Sequence, residues 1–298
     1  MATRGTLYLG VDGGGSGCRA RLEDERGAVL GEGNSGPAST RIGIDNSWRS
    51  IMRACTAAVE QAGMDREDLV LMHAGIGLAG FGRRGAEAAL KQIAHPFASA
   101  RFISDGLAAC LGAHSGADGA IVIAGTGSIG IGLVAGRELR FGGYGFPISD
   151  EGSGAEIGLQ TIKAALRAAD ERGGTSALLD EVLARFDHDA SQVVAWSEQA
   201  TATDYAALAP LVLRHATDGD PIGRRIVERA ADAIGDLLDL FLHRGIDRLS
   251  LVGGLSDAIT AWLTPDLRGR LKKADGDAVA GSLLVARGGF QAAPVGER

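Results

Sequence analysis

The chain is short of several things, and each shortage excludes a class of function. Of 298 residues only three are cysteine, Cys18, Cys55 and Cys110, and no two stand in CxxC spacing. A disulfide framework, a zinc site and an iron–sulfur site within one chain are thereby set aside. No stretch approaches the ~18 consecutive apolar residues of a membrane helix, and the opening MATRGTLYLGVDGGG carries too short an apolar stretch for a signal peptide. A soluble, cytoplasmic protein is expected. Net charge is −7 with no Lys/Arg cluster, which argues against nucleic acid or an anionic membrane as partner. An anionic small molecule stays open, because backbone N–H groups can hold one. A Walker A sequence is also missing, so any nucleotide site is not of the P-loop type.

Glycine, in contrast, is abundant at 46 residues, and its placement is patterned. LYLGV, CRARLE and AVLGEG read as three strands of a meander, with DGGGS between the first two. A helix is expected from Asp45 as N-cap to a stop at Gly63, followed by a buried strand in LVLMHAGIGLAG. RFISD is a short strand whose Asp105 opens a small-residue helix. The theme then repeats: GAIVIAGTGSIGIGLVAGRELRFGG is again strand, glycine turn, strand, turn and strand. Two like meanders predict two related α/β domains, 1–117 and 118–298. The second is helix-rich, with starts near Gly154, Ser176, Asp189, Thr203 and Asp220, and DAVAGSLLVARGG closes the chain as a helix that can pack back on the first domain.

Five motifs carry chemistry, and each has a plainer alternative. In Asp12-Gly13-Gly14-Gly15-Ser16 the successive N–H groups of a tight turn form an anion nest, with Asp12 placed to hold magnesium. The plainer reading is an ordinary Gly-rich hairpin, although such turns rarely need three glycines in a row. AGTGSIG matches GxGxxG through Gly125, Gly127 and Gly130, but the extended IGIGLV that follows removes the helix a dinucleotide fold requires. A second phosphate-facing hairpin fits better. In SDGLAAC, Asp105 reads either as a helix N-cap or as a group at a strand's carboxyl end, where open sheets place ligands. In GGYGFPISDEGSGAEIG the acids Asp150 and Glu151 suit a helix dipole, while Tyr144 and Phe146 beside carboxylates suit a polyol. In LVGGLS, Gly253 and Gly254 let a flat group pack on bare backbone, or simply make a turn. His73, Trp196 and Trp262 read as packing residues, and the charges of RRIVERAADAIGD as a solvated helix face.

The ordered set DGGGS, SDG, AGTGS, GGYG…DEGSG and LVGG resembles the sugar kinase and actin-like ATPase superfamily, from about Leu7 to about Arg287. Within it the chain is most similar to N-acetylglucosamine and glucosamine kinases of the BadF/BadG/BcrA/BcrD ATPase family. The resemblance implies an α/β fold of two actin-like, ribonuclease-H-like domains with ATP and sugar in an interdomain cleft. It implies that Asp12 positions Mg²⁺ and that Gly13, Gly14, Gly15 and Ser16 form one phosphate loop, with Gly125, Thr126 and Gly127 as the other. Gly253 and Gly254, helped by Gly281, would meet the adenosine. Asp105 matches the family's catalytic base, and Asn34 and Asp150 match positions that bind sugar hydroxyls, with Thr126, Tyr144 and Gly145 lining the pocket. The implied reaction is phosphorylation of the C6 hydroxyl of glucosamine or N-acetylglucosamine. Two departures, Tyr144 in place of Trp and Ser149 in place of Gly, lie beside the sugar, and N-acetylmuramate and glucose stay open as substrates. Dimers are common among such proteins, and the oligomeric state stays open between a single chain and a homodimer. An ATPase that activates a redox enzyme and a non-catalytic sugar sensor are the competing classes.

Overall fold

A computed structural model describes residues 5–290 of the chain. By contact the chain divides into two compact units. The first comprises residues up to Gly119, Ile131–Leu139 and Lys273 onward; the second comprises Ala120–Gly130 and Arg140–Lys272. The first unit thus takes in the last helix of the chain.

In the first unit, β1 (Leu7–Gly13), β2 (Cys18–Glu23) and β3 (Val29–Ser35) form the expected meander. Helix α1 (Ile44–Gln61), β4 (Met72–Leu78), α2 (Ala86–Lys91), β5 (Ser99–Ser104) and α3 (Asp105–Ala113) follow. The sheet order is β3-β2-β1-β4-β5. Only β2 runs against the others, since it pairs antiparallel with β1 and β3 while β1, β4 and β5 pair in parallel. This is the ribonuclease-H-like arrangement. It sets the carboxyl ends of β1, β4 and β5 along one edge of the sheet.

Both faces of the sheet are covered, and glycines let the helices close in. Gly31 and Gly33 of β3 face α1, where an added Cβ would lie 2.1 Å from the carbonyls of Ala58 and Ala54. Ile51, Ala54, Cys55, Ala58 and Val59 of α1 are buried there, and full burial of a side chain such as Ile51 is worth about 1.5–3 kcal/mol. On the other face lies α12 (Ala278–Ala286), set over Gly10 of β1 and Gly75 of β4, with Ser282 Oγ donating to the Val11 carbonyl at 2.8 Å. Helix α3 packs beside α12 on that face. Helix α1 starts one residue before Asp45, and the cap position belongs to Gly43 at φ +90°, so Asp45 sits in the first turn rather than capping it. The segment Arg66–Leu71, expected to lead into a strand, is a 3-10 helix.

The second sheet contains β6 (Gly119–Ala124), β7 (Ser128–Val134), β8 (Arg137–Gly142) and β9 (Leu249–Val252) in the order β8-β7-β6-β9. It repeats the first four positions of the first sheet, with β6 and β9 parallel as β1 and β4 are. The residues after Gly127 are strand, which bears out the exclusion of a dinucleotide fold. The helices of this unit are α4 (Gly154–Ala169), α5 (Ala177–Ala184), α6 (Ala190–Ser197), α7 (Ala202–Ala206), α8 (Ala209–Thr217), α9 (Pro221–Leu242), α10 (Ser256–Thr260) and α11 (Pro265–Arg270). The expected starts agree closely, with Ser176, Asp189 and Asp220 as side-chain caps of α5, α6 and α9. Among the described residues no helix is long and apolar enough to cross a membrane.

Candidate active site

Asp12 closes β1 on the carboxyl edge, and the strand register places Asn34, Arg19, Asp12 and Gly77 in one row across four strands. Side chains of one row share a face, here the face covered by α12. Arg19, directly opposite Asp12, donates to it through Nη2 at 2.7 Å and Nε at 3.3 Å, both on Oδ2. Its remaining amine reaches Asp277 Oδ2 at 3.2 Å, and Asp277 in turn caps α12 by accepting from the Ala280 N–H. The Asp12 carboxylate raises the Arg19 pKa above its already high ordinary value, so this guanidinium stays charged. Sequence reasoning missed Arg19. Its signal is the hairpin register, which requires knowing that four residues, Gly14–Gly17, make the turn. Asn34 is exposed, next to Arg19 in the row.

In that turn the Gly14 N–H donates to the Gly17 carbonyl at 2.9 Å. The N–H groups of Gly15 and Ser16 have no acceptor among the described residues. Gly13 is packed, since a Cβ would come within 2.9 Å of the Leu78 side chain, but around Gly15 nothing of the chain lies within 4 Å. Its φ is not in the left-handed region either. Nothing in the chain itself requires glycine there.

Asp105 stands at the first position of α3, half-buried, just past the carboxyl end of β5. Capping falls to Ser104 instead, whose Oγ accepts the Leu107 N–H at 3.0 Å. The plain reading of Asp105 as the N-cap is therefore wrong by one residue. Strands β1 and β5 are separated by β4, so Asp12 and the end of β5 that leads into Asp105 stand about 10 Å apart across the sheet.

The turn of the second unit closes in the same way, the Gly125 N–H donating to the Gly127 carbonyl at 2.9 Å. The carbonyls of Gly125 and Thr126 accept the N–H groups of Gly154 and Ala155 at the start of α4, at 2.8 and 3.2 Å. Thr126 is exposed, and its N–H has no acceptor among the described residues. Asp150, at φ +70°, accepts the Gly145 N–H at 3.1 Å, and its other oxygen lies where a Cβ on Gly127 would come within 2.6 Å. Thr126, Gly127, Gly145 and Asp150 are thus brought together, and Tyr144 projects beside them, 77 % exposed. Ser149 is buried, and its Oγ donates to Glu151 at 3.3 Å.

Gly253 and Gly254 follow β9 beside the end of β6. Gly253, at φ +104° with the Ala124 carbonyl 2.4 Å from an added Cβ, is required by the chain, whereas Gly254 has nothing within 4 Å. Gly281 sits in α12 of the first unit, where an added Cβ would fall 1.8 Å from the Ala108 carbonyl of α3, so close packing of two helices accounts for that glycine.

All three cysteines are free and buried. Burial pushes the Cys18 thiol up to about 12 and the Cys55 thiol well above its ordinary range. Metal-binding cysteines act as thiolates, and burial here favours the neutral thiol of Cys18 and Cys55.

Comparison with known proteins agrees with this geometry. Glucosamine kinase GspK from Vibrio cholerae is 42 % identical over 279 residues, 94 % of this chain and 95 % of that protein. An N-acetylmuramic acid/N-acetylglucosamine kinase from Clostridium acetobutylicum is 29 % identical over 75 % of each chain. Among solved structures, a candidate N-acetylglucosamine kinase from Chromobacterium violaceum superposes with a TM-score of 0.88 at 34 % identity, covering 95 % of this chain and 99 % of that one. The sequence profile matching residues 9–285 is that of the BadF/BadG/BcrA/BcrD ATPase family, and the chain belongs to that family.

Proposed function

We propose that the protein is an ATP-dependent amino-sugar kinase that phosphorylates the C6 hydroxyl of glucosamine or N-acetylglucosamine. The observation that carries this reading is the turn at Gly14–Gly17. It has a carboxylate at its base, N–H groups without acceptors, and a glycine that nothing in the chain requires. Such a turn suits an approaching phosphate group. The identities to glucosamine and N-acetylglucosamine kinases supply the substrate class.

In this reading the N–H groups of Gly15 and Ser16 in the turn Gly13–Ser16, and that of Thr126 in the turn Gly125–Gly127, are offered to phosphate oxygens, and Gly254, beside Gly253, leaves room for adenosine. Among the described residues there is no group of three or more His, Cys, Asp or Glu that could cage a metal. That fits magnesium, which takes one or two carboxylates and completes its shell with phosphate and water oxygens. Asp12 is the residue that would hold it, with Arg19 engaging Oδ2 and fixing the carboxylate's orientation. When bound, Mg²⁺ neutralises phosphate charge that builds during transfer.

Sugar hydroxyls are assigned to Asn34 in the first unit and to Asp150 in the second, where Thr126, Tyr144 and Gly145 stand beside Asp150. Asp105 accepts the hydroxyl proton as the sugar oxygen forms its bond to the γ-phosphorus and ADP leaves. The turns contribute chiefly positioning and charge neutralisation, which phosphoryl transfer needs more than covalent help. A coupled ADP-release assay over glucosamine, N-acetylglucosamine, N-acetylmuramate and glucose tests the reading. Stimulation by an amino sugar is expected, and equal turnover with and without every sugar would remove the kinase assignment. The redox-activator alternative is disfavoured by the buried thiols.

A further inference from the structure

The two carboxylate oxygens of Asp12 are unlike. Both bonds from Arg19, through Nη2 at 2.7 Å and Nε at 3.3 Å, end on Oδ2, and Oδ1 accepts no hydrogen bond among the described residues. The strand register sets Arg19 opposite Asp12, but a register fixes only the backbone. Half of the Arg19 side chain is exposed, and a long side chain in water has many rotamers to choose from. A third group has to hold the guanidinium if Asp12 is to keep one orientation.

That group is Asp277, 258 residues further along the chain than Arg19. Its Oδ2 accepts Arg19 Nη1 at 3.2 Å, while its Oδ1 accepts the Ala280 N–H at 3.0 Å and caps α12. One oxygen is anchored to a helix end, and the other is aimed at the arginine. The helix end is seated in turn: an added Cβ on Gly112 of α3 would lie 1.9 Å from the Asp277 carbonyl. Further along α12, Ser282 Oγ donates to the carbonyl of Val11, the residue before Asp12, at 2.8 Å. Helix α12 therefore reaches the end of β1 twice, directly at Val11 and through Arg19 at Asp12. Arg21, the other cation beside Asp277, is committed to Glu32 at 2.8 Å and stands 4.0 Å from Asp277 Oδ2.

We propose that Asp277 is a positioning residue for the Asp12 carboxylate: by holding Arg19 it keeps Oδ2 engaged and leaves Oδ1 open to Mg²⁺. This rests on the assignment of magnesium to Asp12. Magnesium demands near-ideal octahedral geometry and takes only one or two carboxylates, so a carboxylate with one committed and one open oxygen suits it. Groups hydrogen-bonded behind a ligand orient it and tune its affinity for the metal. Arg19 is such a group, with charge-assisted bonds on both sides, and Asp277 acts through it.

Binding of Mn²⁺, used in place of Mg²⁺, to the full chain with ADP tests the proposal without turnover, read by electron paramagnetic resonance. Asp277→Ser keeps a capping oxygen but is too short to reach Arg19, whereas Asp277→Asn keeps both cap and reach and loses only the charge. Mn²⁺ affinity is expected to fall about threefold in Asp277→Ser and less in Asp277→Asn. ADP affinity without metal and the melting temperature should stay at wild-type values in both. In an Arg19→Ala background Asp277→Ser should weaken Mn²⁺ binding no further, because Asp277 acts through Arg19. Three results would overturn the proposal while leaving magnesium at Asp12: wild-type Mn²⁺ affinity in Asp277→Ser, an equal loss with and without Arg19, or lowered melting temperatures with no change in Mn²⁺ affinity. Mn²⁺ binding indifferent to Asp12→Ala would overturn both the metal assignment and the role of Asp277.

Discussion

The two glycine turns look alike in sequence and are built for different work. Each turn closes on one internal hydrogen bond of 2.9 Å, Gly14 N–H to the Gly17 carbonyl and Gly125 N–H to the Gly127 carbonyl, but the first keeps charges beside it, with Asp12 fixed by Arg19. The turn at Gly125–Gly127 has no carboxylate of its own, but both leading carbonyls are tied to α4 and its last glycine backs onto Asp150. The first, its Gly13 and Gly14 carbonyls held by the N–H groups of Ala79 and Ala38, stands on a charged row, and the second frames a neighbouring loop. A motif takes its role from what packs behind it.

That contrast predicts that charges removed from the first unit damage turnover and that glycines altered in the second damage sugar affinity. The largest effect belongs to Asp105→Asn. Turnover should fall by roughly 10² to 10⁴, the usual worth of a positioned base, while the dissociation constants for ATP and sugar stay unchanged. Steady-state kinetics beside calorimetry separate the two; near-normal turnover would break the assignment.

Next come two matched alanines. Gly127→Ala meets the Asp150 carboxylate at 2.6 Å, which must rotate and release the Gly145 N–H. The expected result is about a tenfold rise in KM for the sugar, with the melting temperature nearly unchanged because a side chain moves and not backbone. Gly15→Ala has open space around it, so folding is again unaffected, but KM for ATP should rise and that for sugar should not. If both variants raise the same KM, the division of labour is wrong.

A smaller effect is expected at Arg19. Arg19→Ala should raise the half-saturating Mg²⁺ concentration several-fold, with Arg19→Lys restoring part of it. Stability should change by less than about 1 kcal/mol, because the pair is solvent-accessible at the arginine. Smallest at neutral pH is the contribution of the buried thiols. The folded Cys18 keeps its proton up to about 12 while the unfolded thiol ionises near 9, so the stability this burial gives is intact below pH 9 and is lost as pH rises toward 12. Thermal melts should decline over that window, less steeply in Cys18→Ala.

Much of this organisation is legible in the sequence because it is local. Both meanders, the helix starts at Ser176, Asp189 and Asp220, and the absence of a helix after Gly127 follow from periodicity and punctuation. What is not legible depends on partners distant in the chain. Arg19 becomes visible only with the hairpin register, since any of several polar residues of β2 could face Asp12. Gly281 reads like Gly254 until α3 is seen against it, because a glycine for helix packing and a glycine for a ligand leave the same letter. The charges of RRIVERAADAIGD, by contrast, form the solvated face they read as, with Arg224, Arg225, Glu228 and Arg229 all exposed. Helix ends slip by a residue or two for the same reason: Ser104 and Gly43 take the caps that the acids Asp105 and Asp45 suggest.

The central claim is transfer of a phosphoryl group to an amino sugar, and ³¹P NMR of a reaction containing MgATP and glucosamine or N-acetylglucosamine reads it directly. The account predicts a new phosphomonoester resonance coupled to the C6 protons of the sugar, growing in step with ADP. ADP accompanied only by inorganic phosphate, at a rate indifferent to the sugar, would contradict it.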